Sequence, residues 1–338
     1  MNRERAMKVA NAVLYEGYTL YPYRRSAIKN RQRWSFGILY PPHFAEVRAG
    51  TERSQMHSEC LIRLSGHATL QIQVRFLHLV SREVVRKVNG QVEPVESLVV
   101  DGRRIESWDE GIERWLECSL PLTDGAQQSI PFSFSASLVK EPLSDSAGQA
   151  VGEIRCRQHE ITGTISTSAV RVREKVLKLT IDVRNTSALP GEANDRDSAL
   201  RGSLLSAHTI LSVTEGEFIS LLEPPHELNV EVSKCTNVGN FPVLVGDEAE
   251  HDMMLCSPIV LYDYPQVAPE SAGDFFDGTE MDEMLTLRMM TLTEEEKNEM
   301  RAGDDRTREL LKRTEESARE QLMRTHGTIR GMRPADEP

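Results

Sequence analysis

Residues 70–78 read LQIQVRFLH, and this stretch decides the fold. Leu70, Ile72, Val74, Phe76 and His78 alternate with polar or smaller neighbours, a period of two that is typical of a strand with one buried face. The segment KVLKLTIDVRN at 175–185 repeats the pattern and runs into a polar turn. Both stretches predict strands of an antiparallel sheet.

The flanking sequence extends this pattern over most of the chain. Further strand-like segments lie at 129–139, 153–166 and 206–222, and we interpret Glu215-Gly216-Glu217 in the last of them as a hairpin turn. Many short strands separated by turn residues favour packed antiparallel sheets. We therefore predict a mainly β fold, with one or two sandwich-like units, a short N-terminal helix and a helical C-terminal tail.

Breaks in this pattern suggest four regions. Residues 1–57 hold a helix, with apolar positions from Ala6 to Leu14 and a glycine at 17, and a basic segment rich in aromatic residues and proline. Residues 58–141 and 151–290 form a first and a second β unit, separated by the polar stretch 142–150. Residues 291–330 form the helical tail, with capping boxes predicted at Thr293–Glu296 and Ser317–Glu320.

Composition and charge restrict the class of protein. The 338 residues include 39% hydrophobic and 27% charged side chains, and the net charge of −12 argues against general nucleic-acid binding. No window approaches the apolar length of a membrane span, and the N-terminus lacks the features of a secretory signal. Five scattered cysteines without a CxxC pair suit reduced thiols. We expect a cytoplasmic protein that binds neither membrane nor nucleic acid.

Charge is unevenly distributed. Between Lys234 and Arg288, 53 residues carry no Lys or Arg and eleven Asp or Glu. We call residues 235–287 the acidic block. The N-terminal 33 residues carry eight Lys or Arg against two Glu. The block could bind a cation or a basic partner, or could pair with this basic segment within the fold or across a dimer, and a homo-oligomer is left open.

Two sets of side chains have the spacing or chemistry of metal ligands. His57–Cys60 and Cys156–His159 are each separated by two residues, as in some zinc sites. Both pairs lie in strand-like sequence, where residues three apart point to opposite faces, so core or half-exposed roles are favoured. The acidic series offers hard oxygen ligands without the order of an EF-hand loop, and consists of Asp274, Asp277, Glu280, Asp282 and Glu283. We predict no cofactor, with a divalent metal as the alternative.

Motifs for catalysis are absent. The chain has no GxSxG, Walker loop, HExxH or strand-linked GxGxxG. A nucleophile pair of Cys256 with His208 or His251 stays open, because such pairs assemble in space and not in sequence.

Three long segments carry a family resemblance: SAHTILSVTEGEFISLLEPP (206–225), CTNVGNFPVLVG (235–246) and SPIVLYDYPQVAPESAGDFFDGTEMDEMLTLRMMTLTEEEK (257–297). With LYEGYTLYPYRRSAIKNRQRWSFGILYP (14–41), they resemble a family encoded among the accessory genes of nickel–iron uptake hydrogenases. The resemblance implies a role in hydrogenase assembly or maturation. It carries over no catalytic residue.

These observations together predict a non-catalytic accessory protein that binds a hydrogenase subunit or maturation factor. The candidate partner-binding residues are acidic or aromatic members of the acidic block, namely Tyr262, Asp263, Tyr264, Glu270, Asp274, Asp277, Glu280 and Asp282. The alternative is a metal-dependent enzyme that combines residues 263–283 with His or Cys from the β region. Its candidate ligands are Asp274, Asp277, Glu280, His57, Cys60, Cys156 and His159.

Overall fold

The computed structural model describes residues 2–24, 27, 29–30, 33–48, 50–88, 90–188, 195–267, 276 and 282–325, with the backbone alone at 282–283 and 317–325. The chain divides into two compact units. Unit 1 comprises Met1–Tyr18 and Trp34–Gln266, and unit 2 comprises Thr19–Arg33 and Val267–Pro338.

Unit 1 is mainly antiparallel β, as the sequence predicts. Its strands are β1 (Gln55–Val88), β2 (Gln91–Val95), β3 (Ser97–Val100), β4 (Arg103–Glu106), β5 (Trp108–Pro121), β6 (Gln127–Phe134), β7 (Ser137–Ser144), β8 (Ala150–Gln158), β9 (Ile161–Arg173), β10 (Val176–Asn185), β11 (Leu205–Ile219), β12 (Phe241–Leu244) and β13 (Met253–Ser257). Its helices are α1 (Asn2–Tyr15), α2 (Pro42–Val47), α3 (Arg196–Leu200), the single 3₁₀ turn His226–Leu228 and α4 (Asn229–Val232).

The long strand β1 organises the sheet. Along its length it pairs in turn with β10, β11, β5, β8 and β2, always antiparallel. The main path of the sheet runs β12-β13-β11-β1-β10-β9-β6, β7 adds to β8, and β3 with β4 forms a separate hairpin. Strands from both predicted β units, 58–141 and 151–290, therefore share one sheet.

One face of β1 builds the main core. Leu70, Ile72, Val74, Phe76 and His78 are fully or almost fully buried, and the alternation read from LQIQVRFLH holds as far as Val74. Beyond it Arg75 and Leu77 are buried as well, so both faces of β1 are covered there. The apolar members pack with alternate residues of β9, β10 and β11 and with the Phe132 side chain. Burying a side chain of this size contributes about 1.5–3 kcal/mol, so this face supplies a large share of the driving force for folding.

The segment Glu215-Gly216-Glu217 is not the hairpin turn that we expected. Strand β11 runs through it from Leu205 to Ile219, and the pairing register with β1 shifts between Leu64 and Thr69 opposite this point. Glu215 adopts a φ of 52°. The residues that suggested a turn belong instead to an irregular point in a continuous strand, since positive φ and glycine serve bulges as well as turns.

Helix α1 covers part of the opposite face of the sheet. Ala6, Val9, Ala10 and Val13 are buried against residues of β11, β12 and β13, including Ile210. Gly17 follows the helix with a φ of 70°, so the predicted N-terminal helix and its left-handed end are confirmed.

Unit 2 carries the helical tail, with α5 (Asp282–Met290), α6 (Glu294–Ala302) and α7 (Asp305–Thr325). The capping box of Thr293 and Glu296 begins α6 as predicted. The helix start expected at Ser317 is wrong, because α7 continues through it. No glycine or proline interrupts residues 305–325, so nothing in the backbone ends the helix there.

Candidate functional site

Three of the predicted partner-binding residues lie in the described part of unit 1. Tyr262, Asp263 and Tyr264 follow β13 in a segment of the acidic block that is neither helix nor strand and that bends at Asp263 and Tyr264. Four others lie outside the described residues, namely Glu270, Asp274, Asp277 and Glu280. Asp282 begins α5, where only its backbone is described, so the structure does not place its carboxylate.

Asp263 holds its segment to the sheet. Its Oδ1 accepts a hydrogen bond from the backbone N–H of Leu244 at 2.8 Å, and its Oδ2 accepts a short one from the Ser220 hydroxyl. The Ser220 oxygen also accepts from the N–H groups of Leu222 and Glu223. The Asp263 carboxylate is thus occupied by contacts inside the fold, and it serves as a structural clamp for its neighbours.

Tyr264 faces inwards. Its N–H donates to the carbonyl of Leu244 at 2.8 Å, its ring packs on the main core, and the His251 ring lies 6.1 Å away. Its buried hydroxyl has no hydrogen-bond partner. Burial, then the charges of Asp263 and Glu248, raise the pKa of Tyr264. The residue anchors the segment and is not free to meet a partner.

The residues before this clamp alternate between inward and outward positions. Ile259 and Leu261 pack on the apolar cluster beneath α1, and Ile259 is held by hydrogen bonds with the Ser257 hydroxyl. Val260 and Tyr262 point outwards, with 95% and 83% of their surface exposed. We call Val260 and Tyr262 the apolar tip. Val260 is not among the predicted partner-binding residues, which are all acidic or aromatic. The period of two in SPIVLYDY nevertheless places it on the same side as Tyr262.

A groove lies beside the start of this segment. Its volume is about 220 Å³, and its walls include Phe36, Ile38, Arg53, Met56 and Pro258. Gly37 permits the close approach, because its φ is 56° and a Cβ there would lie 2.8 Å from the Pro258 ring. The groove combines apolar walls with the Arg53 guanidinium and the Glu52 carboxylate, a mixed lining that can hold an apolar or polar side chain.

The acidic block meets the basic N-terminus at one described ion pair. The Arg5 guanidinium lies 2.7 Å from the Asp247 carboxylate, with both side chains about half exposed. The side chain of Asn2 also donates to Asp252 and accepts from the N–H of Asp247. These contacts bear out pairing within the fold at this point, although an exposed ion pair contributes at most about 1 kcal/mol.

The His57–Cys60 pair splits between two environments. Nδ1 of His57 lies 2.8 Å from the Asp182 carboxylate, whereas the Cys60 thiol is buried in the main core. Burial raises the pKa of Cys60 well above its ordinary value. Between them, Glu59 accepts hydrogen bonds from Lys178 at 2.7 Å and from the N–H of Thr236 at 2.8 Å. This buried polar network is a structural one.

The Cys156–His159 pair lies at the end of β8. Cys156 packs on a small apolar cluster with Val84 and Ile154, and burial raises its pKa. His159 follows the strand, and burial with the nearby Arg201 and Arg157 lowers its pKa. Across the described residues, no group of three or more His, Cys, Asp or Glu side chains could hold a metal ion.

Cys256 does not have the environment of a nucleophile. It lies in register with Thr209 of β11, and burial raises its pKa to about 12. Since the thiolate is the reactive form, this thiol is inert at neutral pH. His208 is also buried, with its Nδ1 2.9 Å from the carbonyl of Ser206.

The fold and this surface describe a mainly β protein with a clamped, outward-facing apolar tip beside a small groove. None of the helices in the described part of the chain has the length and apolar character needed to cross a membrane.

No family model and no curated protein matches the chain. Among solved structures, the chain is similar at 10% identity to the Salmonella SPI-1 type III secretion injectisome secretin InvG in its open gate state. The match covers 62% of this chain and 64% of that chain, so it spans less than two thirds of the secretin segment. Its TM-score is 0.16, and it carries no argument about fold or function.

Proposed function

We propose that the protein is a non-catalytic accessory protein that binds a hydrogenase subunit or maturation factor during nickel–iron hydrogenase assembly. The observation that carries the proposal is the apolar tip. Val260 and Tyr262 are almost fully exposed on a segment that the Asp263 clamp holds in one conformation. A partner that covers the apolar tip would remove both side chains from water, which is favourable.

The clamp favours binding. Ordering a loop at an interface costs free energy, and a segment already held by Asp263 and Tyr264 has met that cost on folding. Tyrosine is also among the residues that contribute most when buried at an interface. The groove beside Pro258 offers a partner side chain a second point of attachment.

The resemblance supports the hydrogenase context at this same surface. Ser220, Leu244 and Asp263 belong to the three segments, 206–225, 235–246 and 257–297, that carry it. Hydrogen bonds to one carboxylate join these three residues. The three segments that carry the resemblance are therefore linked by the hydrogen bonds that hold the apolar tip in place.

A double variant tests the proposal. Val260→Ser with Tyr262→Ser should fold with unchanged thermal stability, because both side chains are exposed, and should lose co-purification with the partner and reduce hydrogenase activity in cells. Val99→Ser, at 63% exposure on β3, is the matched control and should behave as wild type. Normal co-purification and normal hydrogenase activity in the double variant would contradict the assignment.

A further inference from the structure

A cavity of about 320 Å³ opens between the start of α1 and the face of the sheet that α1 only partly covers. Its walls come from α1, β1, β5, β11 and β13, all of which belong to unit 1. A volume of this size falls in the range of small-molecule sites. The polar residues that line the cavity are Arg3, Gln71, Gln73, Glu117, Ser119 and Ser212.

The register of three neighbouring strands sets five of these residues in two rows. Gln71 of β1 lies directly opposite Ser212 of β11 and Ser119 of β5. Two residues further along β1, Gln73 lies opposite Glu117 of β5. Neighbouring strands are about 4.8 Å apart and alternate residues about 7 Å apart, so the rows span about 10 by 7 Å. We call these five residues the floor of the cavity.

The floor retains capacity for further hydrogen bonds. The Gln73 amide donates to the Glu117 carboxylate at 2.6 Å, and the Ser212 hydroxyl donates to the Gln71 amide oxygen at 3.3 Å. Within the described part of the chain, the Gln71 N–H groups and the Ser119 hydroxyl have no protein partner. The floor therefore offers both donors and acceptors to a ligand.

The charges at the cavity cancel. The Arg3 guanidinium lies 3.7 Å from the Glu117 carboxylate, and both side chains are more than half exposed. An exposed pair of this kind contributes at most about 1 kcal/mol, so a ligand hydroxyl can enter between the two groups at little cost. This balance disfavours a charged ligand, and one carboxylate supplies too few oxygens for a hard metal ion.

Apolar side chains border the floor. Ile210 and Met253 lie on the β11 and β13 side and, with Met7 of α1, belong to the apolar cluster beneath that helix. Trp115 lies two residues before Glu117 on β5, and hence on the same face, with 57% of its surface exposed. A ligand on the floor thus meets polar groups below it and hydrocarbon at its side.

We propose that this cavity binds a neutral sugar ring. One sugar ring with its hydroxyl groups covers a floor of this size, and each hydroxyl both donates and accepts, as amide, hydroxyl and carboxylate groups require. The C–H groups of the ring pack against Met7 and Ile210. A purely apolar ligand would leave the amides of the floor unpaired, which costs free energy. No residue of the floor belongs to the apolar tip, so the site is independent of the proposed function.

Saturation-transfer NMR of the full-length protein with glucose, galactose, mannose and N-acetylglucosamine tests the site. At least one of these sugars should give a saturable signal with wild type. Gln71→Leu keeps the size of an exposed side chain and removes its amide, so the melting temperature should stay unchanged. Its affinity for the sugar should fall about three- to tenfold, the effect of losing one or two hydrogen bonds. Gln128→Leu changes an exposed glutamine on β6 in the same way and should bind as wild type does.

Absence of a saturable signal for all of these sugars would overturn the proposal, and so would equal affinity in wild type and Gln71→Leu. The disaccharides lactose and maltose distinguish the end of a glycan from a free sugar. Tighter binding of a disaccharide that Trp115→Ala abolishes places the second ring on the indole and assigns a glycan. Equal affinity for the single sugar and the disaccharide assigns one free ring. Both of these outcomes support the site.

Discussion

Asp263 and Leu244 are joined by a hydrogen bond of 2.8 Å from the Leu244 N–H to the Asp263 carboxylate. Leu244 ends β12 and lies in the main core, whereas Asp263 belongs to the exposed segment that carries Tyr262. Asp263, which the sequence analysis predicts as a partner-binding residue, therefore holds its own segment to the sheet.

Removing the clamp should reduce both stability and binding. Asp263→Ala leaves the Leu244 N–H without its acceptor, and we expect a loss of about 1–3 kcal/mol in the free energy of unfolding. Urea denaturation measures this loss. Glu248→Ala removes an exposed acid of the same block and should change stability by less than about 0.5 kcal/mol. Equal stability of the two variants would show that the clamp contributes nothing.

Closing the space between Gly37 and Pro258 should distort the groove. Gly37→Ala combines a positive φ with a contact of 2.8 Å to the Pro258 ring, so we expect a cost of about 2 kcal/mol or more and weaker partner capture. Gly125→Ala also has a positive φ, of 79°, but meets nothing within 4 Å. Comparing the melting temperatures of both variants isolates the steric effect, and equal losses would show that the Pro258 contact is soft.

Glu59 should make stability depend on pH in the acid range. Burial would raise its pKa, but hydrogen bonds from Lys178 and Thr236 outweigh burial and hold the pKa of Glu59 below its ordinary value of 4.5. A depressed carboxyl pKa stabilises the fold above the unfolded pKa, and this contribution disappears as pH falls through the folded pKa. Glu59→Gln should therefore have a lower free energy of unfolding than wild type near neutrality, and this free energy should depend less steeply on pH in the acid range. An acid limb identical to wild type would refute this role.

His208 should weaken the fold between its unfolded and folded pKa. Burial, and then the charge of Arg75, lower the pKa of His208 to about 4 from 6.5. Between these two pKa values the unfolded chain binds a proton at His208 and the folded chain does not. The free energy of unfolding should therefore fall as pH drops from 6.5 towards 4, by up to about 1.4 kcal/mol per pH unit. His208→Leu should reduce the slope, as measured by urea denaturation across that range. The exposed His43 supplies the control through His43→Leu, which should keep the wild-type slope.

Variants of the acidic residues outside the described part distinguish the two candidate functions, a partner-binding protein and a metal-dependent enzyme. Reversing the charge of Asp274, Asp277 and Glu280 to Lys should impair hydrogenase maturation if they contact the partner. Metal analysis of purified wild type should find no stoichiometric ion. An ion that is bound at one equivalent and lost in Asp277→Asn would favour the enzyme instead.

The alternation at 70–78 and 175–185 predicted the buried faces of β1 and β10, because side chains on a strand alternate between faces at any position in a sheet. The helix ending at Gly17 and the capping box at Thr293 were predictable because their signals are local. The hairpin turn predicted at Glu215-Gly216-Glu217 was wrong, because the same residue types occur both in turns and at irregular points within a strand.

The sequence by itself determined the mainly β class and the helical ends, and it predicted the acidic block, residues 235–287, as the candidate surface. Only the tertiary structure decided which of its residues are available: Asp263 binds Leu244 and Ser220, Tyr264 is half-buried against the main core, and Val260 and Tyr262 face outwards. Backbone periodicity is a local property and is written in adjacent residues, whereas burial and the pairing of charges depend on contacts between residues far apart in sequence.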